Sequence, residues 1–166
     1  LFRSDLEYPY PEKKADFERM EELALIKGVN TEMYHVLKNY LTVYGTGRVN
    51  LNTAAPPVLL ALGLRPEVVV TVVAVRYGPD DREATTDDVF FENIDDFLTI
   101  VGQFMPLTQM DTAVVRGLES RGLIGTGSRN FQIRSKGQLV DGQVRAVVDC
   151  VVDSATDKIL SWQERW

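Results

Sequence analysis

Between Asp80 and Asp96 the chain carries eight acidic side chains against one basic one, Arg82. Asp80, Asp81, Glu83, Asp87 and Asp88 crowd its first half. Carboxylates gathered in a loop suit a hard cation such as Ca²⁺, which takes about 6–8 oxygen ligands. These five residues are therefore the candidate Ca²⁺ ligands. No Asp-x-Asp-x-Asp-Gly run is present, so the spacing is not that of an EF-hand. The plainer alternative is a solvated, self-repelling surface segment.

Other chemistry has less to draw on. His35 is the only histidine, and it falls mid-helix beside no obvious carboxylate or thiol, which leaves serine- and cysteine-type triads without a base. Cys150 is the only cysteine, so an internal disulfide and a Cys-based zinc site are excluded. Its setting, Val-Val-Asp-Cys-Val-Val, reads as a small buried apolar residue. No P-loop, Gly-x-Gly-x-x-Gly fingerprint or metalloprotease helix occurs. Nothing offers a matched acid and base, and the chain reads as a non-enzyme.

The elements that would position any site come from the periodicity. With 166 residues and 45% apolar content the chain can bury one real core or two small ones. The centre of its organisation is residues 43–67. Gly45 and Gly47 permit a tight turn, Val49 and Leu51 alternate with Asn50 and Asn52 as a short strand, and Thr53 is placed as the N-cap of a helix Ala54–Leu62. Pro56 and Pro57 are tolerated only in that helix's first turn. Gly63 ends it, and a second helix starts at Pro66.

Upstream, Tyr8-Pro9-Tyr10-Pro11 marks an extended lead-in. Asp16 is placed to cap a helix over Phe17–Ile26 that Gly28 terminates, and Asn30 to cap the next, with Met33, Leu37 and Tyr40 or Leu41 as its stripe. The stretch Leu25–Glu32 resembles Leu60–Glu67 in hydrophobicity, glycine position and final Glu, and Thr99–Gly102 repeats its first half. Residues 16–122 thus read as three helix–glycine–helix hairpins. Val68–Val75 has strand propensity, yet Pro66 in its first turn and the uninterrupted run to Tyr77 predict a helix. Asn93 caps a short helix to Val101, and Thr108 with Asp111 has capping-box spacing before Gln109–Arg121.

After a flexible joint at Gly122, Gly125 and Gly127 the period becomes two. Phe131 and Ile133, then Val144, Ala146, Val148, Cys150 and Val152, alternate with polar residues, Asp141-Gly142 and Asp153-Ser154 mark turns, and Ile159–Trp162 makes a third strand. The fold class is α+β. An all-α domain of helix–glycine–helix hairpins (SAM/HhH-like) over residues 1–127 precedes a small antiparallel meander over 128–166. So short a meander needs a cover for its apolar face.

The run Tyr44–Ala54, followed by a proline and Val58-Leu59-Leu60-Ala61-Leu62, resembles the signature of the K-type minor pseudopilins of type II (general) secretion systems. Phe17–Gly28 and Ser128–Gly137 match the same family in the same order. The resemblance implies a large helical domain inserted into a pilin-like fold, at the tip of a periplasmic pseudopilus. It implies docking to the I- and J-type minor pseudopilins and a role in capping or initiating pseudopilus assembly that supports export, and leaves open whether secreted substrates touch the tip. It also implies anchorage in the bacterial inner membrane through a single N-terminal helix. No run here approaches the roughly 20 apolar residues that a span requires, and Leu1-Phe2-Arg3 reads as a cut start, so that helix is expected ahead of it. The competing class is a helix-hairpin-helix binding module for nucleic acid or another protein. Residues 1–127 hold 12 basic and 19 acidic side chains, net −7. That sign opposes phosphate binding, and no nucleic-acid partner is expected.

Overall fold

The computed structural model describes residues 14–82, 85–138 and 145–166. The chain falls into two compact units, Leu1–Val43 and Tyr44–Trp166. The tyrosine lead-in at residues 8–11, the Asp141-Gly142 turn, Val144 and Glu83 lie outside the described residues.

In the first unit a short 3₁₀ helix, Met20–Leu25, precedes α1, Thr31–Leu37. The first helix starts later than Asp16 would have it. The side chain of Glu22 reaches back and accepts from the amides of Glu18 and Arg19 at 3.1 and 3.2 Å, so the cap forms around Glu22. Neither helix buries a residue, and without a buried face little favours extending the 3₁₀ turn into a longer α-helix. Asn30 caps α1 as its position predicts, its side chain accepting from Met33 N at 2.8 Å.

The second unit opens with β1, Val49–Asn50, then α2, Pro56–Ala61. Thr53 is not the cap; Ala55 is, without a side-chain bond. Proline at the first two helical positions removes the amides a cap would serve, and Val58 N already donates to Ala55 O at 2.9 Å. Gly63, at φ 93°, turns the chain into α3, Pro66–Tyr77. The valine run is a helix. Val68, Val69, Val72 and Val75 are all buried, and that burial outweighs the few tenths of a kcal/mol per residue that β-branching costs a helix.

Helix α4, Ile94–Phe104, is capped by Asn93, whose side chain accepts from Asp96 N at 2.9 Å. It runs straight through Gly102, so that glycine is no corner. The turn falls at Met105, held extended by the ring of Pro106 behind it. Helix α5, Gln109–Ser120, starts in the expected Thr108–Asp111 capping box, and Gly122 follows it at φ 68°.

Strand β2, Ile124–Gly125, pairs in parallel with β1. The glycine-rich stretch is therefore not a free joint, because backbone bonds of 2.8 Å run from Val49 N to Leu123 O and from Leu51 N to Gly125 O. Beyond it, β3 (Asn130–Gln138), β4 (Arg145–Asp153) and β5 (Lys158–Arg165) form an antiparallel sheet in the order β3-β4-β5. Leu160 is an extra residue bulged out where Val151 and Val152 pair with Ser161 and Ile159. The core gathers Leu51, Leu59 and Leu64 with the valines of α3, Phe91, Phe97 and Val101, Val115 and Leu118 of α5, and Ile124. Phe91 meets Phe97 edge-to-face at 5.0 Å.

Candidate functional site

The acidic loop leaves α3 at Gly78 and folds back on it. A Cβ at Gly78 would lie 2.6 Å from the backbone oxygen of Asp87, so only glycine admits this return. Thr85 Oγ1 sits among the carboxylates, 2.8 Å from Asp87 Oδ1, 3.0 Å from Asp88 Oδ1 and 3.3 Å from Asp80 Oδ1. Asp80 Oδ1 also accepts from Arg82 N, and Asp87 Oδ2 from Asp80 N. The bond from Thr85 is the main cause that holds the Asp87 carboxyl below its ordinary pKa. Asp81 is exposed, at φ 54°. Asp80, Asp87 and Asp88 are thus brought together around a hydroxyl. Among the described residues no group of three or more His, Cys, Asp or Glu side chains is placed to hold a metal ion.

The Arg48–Ala54 stretch is a junction made of side chains acting as backbone. Asn52 Nδ2 donates to Phe91 O at 2.9 Å and to Thr126 O at 2.8 Å, while its Oδ1 accepts from Phe91 N at 2.8 Å. One amide therefore ties the end of the acidic loop to Thr126, just past the strand that follows α5. Arg48 lies across Gly125 and donates to Ile124 O at 3.2 and 3.3 Å, and Asn50 Nδ2 donates to Ser128 Oγ at 2.8 Å. The buried Arg76 of α3 donates to Ala54 O at 2.7 Å. The spacing of Arg48, Asn50 and Asn52 gives them one face of a strand; their partners, 39 to 78 residues away, left no local mark.

The corner between α2 and α3 carries a cation, Arg65, which sequence reasoning did not single out. It grips Asp111 with two parallel bonds, Nε to Oδ1 at 2.6 Å and NH2 to Oδ2 at 2.7 Å. Asp111 is 5% exposed and also accepts from Thr108 N and Oγ1, both at 2.7 Å. The guanidinium leads in holding its carboxyl far below the usual carboxylate range, with burial opposing. The adjoining cleft, against Val68, Phe97 and Leu107, encloses about 10 Å³, room for a single water at most.

The sheet has two unlike faces. Opposed residues of an antiparallel pair share a side, so Phe131, Val152 and Ile159 form one apolar row, and Ile133, Cys150 and Trp162 the next. Cys150 is buried, while Ile133 is 50% and Trp162 54% exposed. On the other face Asp149 is buried beneath Arg134 and Arg165, each 2.5 Å away, and Asp153 is held bidentately by Arg129 at 2.7 Å. Both carboxyls are pulled below their ordinary pKa, Asp149 chiefly by Arg134 and Asp153 chiefly by Arg129. A general acid needs the opposite shift, so these buried aspartates fix geometry and carry no exchangeable proton at neutral pH. His35 is exposed on α1. Neither a family model nor a curated protein nor a solved structure matches the chain.

Proposed function

We propose that this chain is the soluble part of a K-type minor pseudopilin, a non-enzymatic component of the periplasmic pseudopilus tip of a type II secretion system. The observation that carries the reading is the apolar sheet face, where Phe131, Ile133, Ile159 and Trp162 stand about half exposed. Apolar surface left so open marks a docking site. The reading gives that face to an N-terminal helix anchored in the inner membrane and to the I- and J-type minor pseudopilins packed beside it. In this reading the helices of residues 1–127 are an insert in a pilin-like fold, with α2–Gly63–α3 as one of its glycine-cornered hairpins. Their bulk caps the tip against a further subunit, and secreted proteins pass beside it.

A helix-hairpin-helix module for nucleic acid or protein is the second reading, and α2–Gly63–α3 is the feature behind it. The cation at that corner, Arg65, is already spent on Asp111, and the net charge of −7 over residues 1–127 repels phosphate. Both facts weigh against nucleic acid.

The deciding experiment is size-exclusion chromatography of the full-length chain with I- and J-type minor pseudopilins. The expected result is one co-eluting complex, weakened by Ile133→Lys or Trp162→Lys and indifferent to duplex DNA. Separate elution of folded partners that still bind each other, or a shift on adding DNA, would sink the proposal.

A further inference from the structure

Strand β3 is an edge of the three-stranded sheet. Its residues from Phe131 to Gln138 are exposed, and among the described residues no segment hydrogen-bonds its outer side. Every second residue of such an edge turns its N–H and C=O outward, a template for one more strand. The side chains alternate as well. Phe131 and Ile133 point to the apolar face, while Arg134 and Lys136 lie on the face of Asp149 and Arg165.

The cations on that face are held ready. Arg134 and Arg165 share one buried carboxylate, Asp149, which leaves this spot with a net positive charge. Asp149 acts as a strut: the rotamer entropy a guanidinium loses on meeting an anion is already lost. Lys136 sits in the neighbouring row, and neither partner opposite it on β4 and β5, Val147 and then Arg165, is acidic. A strand added beside β3 would lie about 4.8 Å away, with side chains of one face repeating about every 6.8 Å. Arg134 and Lys136 are spaced by that repeat.

We propose that the outer edge of β3 receives an extended segment of a partner protein, with carboxylates at alternate positions and apolar residues between them. The carboxylates pair with Arg134 and Lys136, and the apolar residues extend the Phe131–Ile133 face. A polyphosphate or an anionic membrane is a poorer occupant, because the basic area is a few residues wide on a chain of net charge −6. This inference is independent of the secretion reading, since it rests on strand order, register and charge alone.

The test is an amide NMR titration of the whole chain with a blocked nine-residue peptide bearing Glu at alternate positions and Val or Thr between. The Lys counterpart, inorganic phosphate and phosphatidylglycerol vesicles serve as comparisons. The expected result is a shift and slower exchange of alternate amides of β3, with the Glu peptide binding about fivefold tighter than the Lys peptide. Lys136→Gln, which leaves the Asp149 pairs in place, weakens binding about twofold, and adding Arg134→Gln about fivefold in all. The proposal is overturned by no binding at millimolar peptide, by equal binding of the two peptides, by shifts centred on β5 or the helices, or by phosphate or vesicles binding in the peptide's place.

Discussion

Replacing Asn52 by Ala should be among the most damaging single changes in the Tyr44–Trp166 unit. The side chain makes three hydrogen bonds of 2.8–2.9 Å, two as donor and one as acceptor. Their loss leaves the amide and carbonyl of Phe91, a residue 2% exposed, without the partner they now have. At about 1 kcal/mol per hydrogen bond, the expected cost is about 3 kcal/mol. For a unit of this size that lowers Tm by about 10 °C. Thermal denaturation followed by circular dichroism measures it, and hydrogen exchange locates it, since Phe91 N should lose its protection first.

Asn52→Asp sharpens the same prediction. The introduced carboxylate keeps the acceptor for Phe91 N but faces the oxygens of Phe91 and Thr126 with no proton to donate. Two carbonyls and partial burial raise its folded pKa above the unfolded value of about 3.9. A group so raised destabilises the fold as pH climbs through the window between the two values, and the defect shrinks again below it. The variant should therefore be as damaged as Asn52→Ala at pH 7 and partly recovered near pH 4. A Tm change under about 3 °C for Asn52→Ala, or a pH-independent defect for Asn52→Asp, would refute the assignment of Asn52 as the tie between the loop and Thr126.

Asp111→Asn should cost about 2 kcal/mol, and Arg65→Met should also lower Tm by leaving the Asp111 carboxylate without its bidentate partner. The half-exposed arginine keeps the figure below that of a fully buried pair, and a double-mutant cycle should show a coupling of about 1 kcal/mol or more. Acid should destabilise the wild type through Asp111, Asp149 and Asp153. Their pKa values are depressed on folding, so the stability they supply is complete above the unfolded value of about 3.9 and drains away as pH falls toward the folded values. A chain that melts at one temperature from pH 6 to pH 2 would contradict this. Gly78→Ala should loosen the acidic loop more than the core, raising exchange at residues 85–89 with a stability loss of about 1–3 kcal/mol. Because Asp80 and Asp87 already accept bonds from within the loop, submillimolar Ca²⁺ should give no heat in titration calorimetry. A saturable heat that vanishes in Asp87→Asn would reverse that judgement.

What the sequence exposed was local chemistry. Asn30, Asn93 and the Thr108–Asp111 pair cap helices where their spacing places them, because a cap bonds within three residues of itself. The helix over Pro66–Tyr77 was legible from its proline against its own propensity. Thr53 was misjudged because a cap is useless where prolines have removed its donors, and Gly102 because glycine permits a corner without imposing one. The Arg65–Asp111 grip, the Asn52 ties and the parallel pairing of β1 with β2 span 39 to 75 residues of chain. Contacts so distant are written in packing and leave no period behind. The acidic loop showed its charge but not the threonine at its centre.

The parallel pairing of Val49–Asn50 with Ile124–Gly125 has a mechanical consequence. All of α2 to α5 is strung between two strands that lie side by side, so a pull arriving at Tyr44 and leaving at Ser128 meets β1 at its start and β2 at its end. Such a load shears the ladder, straining its rungs together with the bonds of Arg48 and Asn50. Tension along the chain thus crosses from one strand to the other and leaves the enclosed helices slack.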